Sequence, residues 1–173
     1  MSDKQRTLKE EVKFQGVGLH TGEVVNMTIK PAIENHGYKF KRIDLDNQPI
    51  IKADPDNVVS TERGTTLEQN GGKVYTTEHV LAALYGMEVD NALIEVDAPE
   101  IPIMDGSSKM FVDGIEKAGI VEQEKDRDYF VLNENLKWED LDKGIEFLAI
   151  PDPEYRLTVM VDYNSPVLGT QHA

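Results

Sequence analysis

Apolar and polar positions follow a period of two at first, then a helical period, then two again. Val25, Met27 and Ile29 alternate with Asn26, Thr28 and Lys30, which predicts a half-buried strand ended by Pro31. After a polar turn at 34–37, Tyr38 and Phe40 alternate with Lys39 and Lys41 and predict a second strand. Asn70-Gly71 is the strongest hairpin signal, since both residues tolerate positive φ; its flanks at 65–67 and 73–75 are expected to pair. A helix is predicted over 77–85, with Thr76 or Thr77 as cap, Val80, Leu81 and Leu84 as its apolar stripe, and Gly86 as its stop. Ala92, Leu93, Ile94 and Val96 read as a short buried strand. A second helix begins at Ser107 or Ser108, turns Met110, Phe111, Ile115 and Ala118 inward, and ends at Gly119, although Gly114 in its interior costs about 1 kcal/mol against Ala.

The charged, aperiodic run 122–128 reads as a linker. Beyond it, strands are predicted at 129–132, 136–138, 144–150 and 156–163. Strand, Pro151, polar turn and strand repeat the order seen around Pro31. One reading is a second copy of the opening motif starting near residue 128; the other is coincidence, because that order is common. The expected domains are 1–126, complete with sheet and two helices and carrying Glu78 and His79, and 127–173, the opening strands of a second domain. Strands, then helices, then strands indicate an α+β fold.

Composition narrows the chemistry. Acidic residues number 32 against 18 Lys and Arg, a net charge of −14 over 173 residues, which argues against a nucleic-acid-binding face. No cysteine is present, so disulfides and thiolate metal sites are excluded. No apolar run approaches the ~20 residues of a membrane span, and the start lacks a signal-peptide core, so a cytoplasmic location is expected.

Thr77-Glu78-His79-Val80-Leu81-Ala82-Ala83-Leu84 is the segment most suggestive of chemistry. Glu78 and His79 fall in the first turn of the predicted helix, where the dipole favours a charged carboxylate and a neutral imidazole. The first can take a proton from water and the second can hold a metal. Glu in a first turn is also ordinary helix chemistry. Ala82 and Ala83 occupy the positions where a helical zinc motif places its second ligand, and a catalytic zinc takes three protein ligands. His20, His36 and His172 have no ligand spacing to His79.

Gly16-Val17-Gly18-Leu19-His20-Thr21-Gly22 lacks the third glycine of a nucleotide fingerprint and precedes a strand, so it reads as a tight turn that leaves the role of His20 open. Asp105, in Asp105-Gly106-Ser107, is a second candidate carboxylate, with turn and cap chemistry the favoured explanation. Asp54-Pro55-Asp56-Asn57 reads as a solvated turn.

Those motifs occur in order with Asn91-Ala92-Leu93-Ile94-Glu95-Val96 and Ala98-Pro99-Glu100-Ile101-Pro102-Ile103-Met104-Asp105-Gly106-Ser107. The set resembles the UDP-3-O-acyl-N-acetylglucosamine deacetylase family of lipid A biosynthesis in Gram-negative bacteria, across essentially the whole chain. Asp162-Tyr163-Asn164-Ser165-Pro166 is similar to a family stretch that usually has His where Ser165 stands. The resemblance implies a layered α/β sandwich of two related domains. It implies a zinc hydrolase acting on a UDP-linked acyl-glucosamine, with Glu78 as general base and His79 as one of three Zn2+ ligands. The family's other two ligands lie in a His-Lys-x-x-Asp motif, and no His-Lys pair occurs here. The chain is therefore expected to be the amino-terminal portion of a longer deacetylase, inactive and without tight zinc by itself. Whether that protein is fused to a 3-hydroxyacyl carrier-protein dehydratase, as some members are, stays open. The competing expectation is a non-catalytic acidic binding or assembly module. Exposed apolar strands over 144–163 predict self-association.

Overall fold

A computed structural model describes residues 3–173 and shows an α+β fold in which mixed sheets carry two helices. The chain divides into two compact units, Met1–Arg127 and Asp128–Ala173. The first contains β1 (Lys4–Leu8), β2 (Val12–Val17), β3 (Val24–Pro31), β4 (Tyr38–Arg42), β5 (Ile50–Lys52), β6 (Val58–Ser60), β7 (Thr66–Gln69), β8 (Gly72–Val74), α1 (Glu78–Gly86), β9 (Ala92–Val96), α2 (Lys109–Ala118) and β10 (Ile120–Asp126).

Five strands make the main sheet, in the order β2-β3-β9-β4-β5. Only the β4–β9 pair is parallel. Since β3 runs against both β2 and β9, the strands β2, β9 and β4 point the same way, and the loops that leave them emerge at one edge. The alternation in β3 buries Val25, Met27 and Ile29; β9 buries Ala92, Ile94 and Val96. All of these but Val25 form one core with Phe40, with Val80, Ala83 and Leu84 of α1, and with Phe111 and Ile115 of α2. Each fully buried large side chain contributes about 1.5–3 kcal/mol. A three-stranded sheet, β6-β7-β8, contains the Asn70-Gly71 hairpin, whose two residues have φ of 53° and 77°.

Several expectations change. The stretch 122–128 is not a linker: β10 pairs antiparallel with β1, from Lys4 opposite Asp126 to Leu8 opposite Ile120. Arg127 also belongs to this unit, donating its backbone N–H to the Asp3 carbonyl (2.8 Å) and its Nε to Asp90 (2.9 Å). Met110 is exposed, because the buried positions of α2 are Phe111, Gly114, Ile115 and Ala118, and Met110 lies a step of helix rotation away from that stripe. Thr77 occupies the N-cap of α1 but makes no cap bond with its side chain; its hydroxyl and that of Thr76 are engaged elsewhere. Gly86 is the last residue of α1, and Met87 occupies the cap.

The second unit holds β11 (Leu136–Asp140) and β12 (Ile145–Ala149), an antiparallel hairpin, and β13 (Met160–Asp162) paired with β14 (Thr170–His172). Trp138 lies opposite Phe147, and both are more than half exposed. The run 129–132 is not a strand, and only 160–162 of the predicted 156–163 is one. Among the described residues no helix is long and apolar enough to cross a membrane.

Candidate active site

Glu78 is the first residue of α1, so its carboxylate stands among the unpaired N–H groups of the first turn. The Thr65 backbone N–H donates to its Oε2 (2.8 Å). Its Oε1 lies 4.0 Å from His79 Nε2, with both side chains partly exposed. A Cβ at Gly64 would approach Oε1 to 3.1 Å, so a side chain there would crowd that oxygen. The first turn of α1 is further held by Ser108, whose hydroxyl donates to the His79 carbonyl (2.9 Å), and by Thr77, whose N–H and hydroxyl both donate to the Thr65 carbonyl (3.3 and 3.2 Å).

Beside this turn is an open depression of about 270 Å³ whose wall includes His20, Arg63, Gly64 and Thr76. His20 comes from the loop after β2. Its Nε2 lies 2.9 Å from the Arg63 carbonyl. A carbonyl only accepts, so Nε2 carries the proton and, in the neutral ring, Nδ1 keeps its lone pair. The motif 16–22 thus builds a turn, as its spacing suggests, and that turn brings an imidazole to a depression also lined by Gly64 and Thr76, the residues that flank Glu78. Asp105 is exposed and spends its Oδ1 on the N–H and hydroxyl of Ser107 (3.0 and 2.9 Å); the bonds from Ser107 hold its carboxyl below the usual range. That is turn chemistry. Asp54 likewise accepts the Asp56 N–H at the start of a short 3-10 turn.

Glu100 was given no role by sequence reasoning. It is 1 % exposed, yet charged groups are rarely this buried unless fully paired. Its carboxylate accepts from the His20 N–H (3.1 Å), the Thr21 N–H (2.8 Å), the Thr21 hydroxyl (2.9 Å) and the Thr76 hydroxyl (2.8 Å). Burial pushes its pKa up, but these donors outweigh burial and hold it below the ordinary carboxylate value. A Cβ at Gly18 would come within 2.5 Å of Glu100 Oε2, so a side chain there would displace the turn. Thr76 itself adopts φ of 59°, strained for a β-branched residue. The available signal was a lone acid inside the apolar run 98–104.

Among the described residues no three His, Cys, Asp or Glu side chains converge as a metal-binding group. His79 is a single imidazole, whereas a catalytic zinc takes three protein ligands, so the described residues do not by themselves fit the ion. In the second unit, Ser165 lies in a turn, its carbonyl accepting the Gly169 N–H (2.9 Å).

Known proteins are similar to this chain over nearly its whole length. A bifunctional enzyme LpxC/FabZ from Chlorobaculum tepidum is 47% identical over 169 residues, 98% of this chain and 36% of its own length. A UDP-3-O-acyl-N-acetylglucosamine deacetylase from Methylococcus capsulatus is 44% identical over 164 residues, 95% of this chain and 53% of its own length. Another of that name, from Thermosynechococcus vestitus, is 42% identical and is covered over 58% of its length. The chain therefore spans about a third to just over half of the relatives it matches. The sequence pattern described as LpxC: UDP-3-O-acyl N-acetylglycosamine deacetylase matches residues 5–173, from the second residue of β1 to the end of the chain, and with Glu78, His79 and the His20 turn all inside that match the chain belongs to the LpxC family.

Proposed function

We propose that these residues supply the amino-terminal half of a hydrolytic site that removes acetate from a UDP-3-O-acyl-N-acetylglucosamine, for lipid A synthesis, in a longer protein. The observation that carries this reading is the pairing of Glu78 and His79 at the open head of α1, in a chain of the deacetylase family. Thr65 occupies Oε2 of Glu78, and Oε1 stays free to receive a proton from a water molecule. In this reading Glu78 is the general base, and the proton it takes is passed on to the leaving amine as the amide C–N bond breaks. His79 is proposed as one ligand of a zinc ion whose other ligands lie outside these residues. One imidazole alone does not hold that ion. The 173-residue chain alone is accordingly proposed to be inactive.

The test measures acetate release from the UDP-sugar together with bound zinc. In the longer protein, Glu78→Gln is expected to lower kcat by about 10²–10⁴-fold, the usual scale for a general base, with zinc retained. The 173-residue chain is expected to release no acetate and to hold zinc below one equivalent. Full activity in Glu78→Gln, or turnover with stoichiometric zinc by the short chain, would refute the assignment. A longer protein with zinc bound and no turnover would instead favour the non-catalytic module.

A further inference from the structure

We infer that Glu100 is a positioning residue: its buried carboxylate locks the His20 turn to Thr76 and so fixes the place of Glu78 from two sides. The inference rests on the proposed role of Glu78 and deepens it. One route runs from Glu100 through the His20 N–H (3.1 Å) and the ring bond from His20 Nε2 to the Arg63 carbonyl (2.9 Å) into the loop whose Thr65 N–H holds Glu78 Oε2 (2.8 Å). The other runs through the Thr76 hydroxyl (2.8 Å) to the residue two places before Glu78. Thr76 sits in the left-handed region, a conformation that surrounding contacts must enforce, and Glu100 is the acceptor of its hydroxyl.

The chemistry favours a lock over simple filler. A buried carboxylate is costly unless every lone-pair direction is used, and Glu100 uses its own on donors from two segments 24 and about 80 positions away in sequence. Among the described residues none of its partners is a cation. The carboxylate is satisfied only when the turn at 20–21 and the strained residue at 76 are both in register. Glu100→Gln preserves most of this: its oxygen at the Oε2 position keeps the Thr21 and His20 bonds, and its amide donates to the Thr76 hydroxyl, which turns to accept. Glu100→Ala leaves those donors without a partner.

The experiment follows amide hydrogen exchange in the 173-residue chain, reading Thr65, which reports the hold on Glu78, against Ile94, between two strands in the centre of the sheet. Glu100→Ala is expected to speed exchange at Thr65 at least about tenfold while Ile94 is unchanged, and Glu100→Gln to stay within about threefold of wild type; these are differences of about 1.4 and 0.6 kcal/mol in local opening, by the tenfold-per-1.4 kcal/mol conversion. Thr65 and Ile94 accelerating together, or neither moving, would overturn the inference. Should Glu100→Ala fail to fold, Thr76→Val, which deletes one hydroxyl and keeps the side chain's shape, decides by the same readout. In the longer protein the expected signature is a loss in kcat of at least tenfold for Glu100→Ala with KM within threefold, rescued by Glu100→Gln; equal losses in both variants would overturn it. Absence of turnover in the wild-type longer protein would sink the deacetylase reading, and the exchange experiment would still decide on Glu100.

Discussion

Helix propensity and packing make opposite predictions for Gly114→Ala. In the interior of α2, replacing Gly by Ala favours the helix by about 1 kcal/mol. The structure places the new methyl 2.5 Å from Phe14 Cζ, 2.7 Å from Cε1 and 3.2 Å from a Val12 methyl. Carbon atoms in good contact sit at about 3.5–4.0 Å, so the ring has to retreat by roughly 1 Å. Phe14 already meets Phe111 edge to face at 5.2 Å between centroids, and a swing that makes room disturbs that pair, which is worth about 0.5–1.5 kcal/mol. Overpacking typically costs about 1–3 kcal/mol. Packing wins, and the expected outcome is a net loss of about 1 kcal/mol.

The assay is urea denaturation followed at 222 nm, because both helices lie in the first unit and the only tryptophan, Trp138, reports on the second. Gly114→Ala should lower the midpoint with an unchanged slope. In a Phe14→Leu background, which carries no ring to meet the methyl, the same change should raise it, giving a coupling of about 2 kcal/mol between the two sites. A single mutant more stable than wild type, or a coupling near zero, would refute the account of how α2 lies against β2.

Asp44→Ala should cost about 3 kcal/mol by urea denaturation, because it strands the buried guanidinium of Arg42, now bonded to both Asp44 oxygens (2.9 and 2.6 Å), with only the Lys73 carbonyl (2.6 Å) left among the described residues. The same Arg42 bond holds the Asp44 carboxyl below its usual value; a depressed folded pKa adds stability that is fully present above the unfolded value of about 3.9 and is lost as pH falls through the folded one. Asp44→Asn should therefore flatten the acid limb of stability against pH. Gly71→Ala should cost about 1 kcal/mol through backbone strain alone, since φ is 77° and nothing lies within 4 Å of the added methyl; a neutral result would contradict the hairpin geometry. The second unit exposes nearly all its apolar side chains, so Trp138 fluorescence should report unfolding at lower urea than the 222 nm signal, and light scattering should rise with concentration; coincident transitions and a monomer at all concentrations would contradict each.

The elements legible in the sequence are those whose side chains obey one period against one core. β3 falls where alternation places it, β9 falls where a short apolar run places it, and the Asn70-Gly71 turn follows from positive φ. β10 escaped because its pairing with β1 is made by backbone groups, while its outward positions Glu122, Glu124 and Asp126 are all charged and little of the strand is buried. The opposite error occurred at 129–132, where an apolar run lies outside any strand. In α2 the phase was wrong at Met110 alone, since Phe111, Ile115 and Ala118 face inward as expected. Glu78 and His79 stand out in the sequence because they are adjacent and open a helix. The part played by Glu100 was not visible, since its partners are 24 to 80 positions away and no local pattern encodes a contact of that range.

Topology explains why those distant partners meet. β2 and β9 run in the same direction with β3 between them, so the turn at 18–22 and the segment 97–104 leave the sheet at the same edge. There the Tyr75 N–H donates to the Pro99 carbonyl (2.8 Å) and the Ile101 N–H to the Tyr75 carbonyl (3.1 Å), which draws the residues just before α1 alongside Glu100. Bringing such loops together opposes chain entropy, and apolar contact alone would tolerate a slip of register. A buried charge does not, because each donor that moves away leaves part of a carboxylate unsatisfied. An acid without a cation, in a chain with a net charge of −14, is thus an unfavourable choice for stability and a strong one for geometry. That is the balance expected where a carboxylate at the head of a neighbouring helix must be held to a fraction of an ångström.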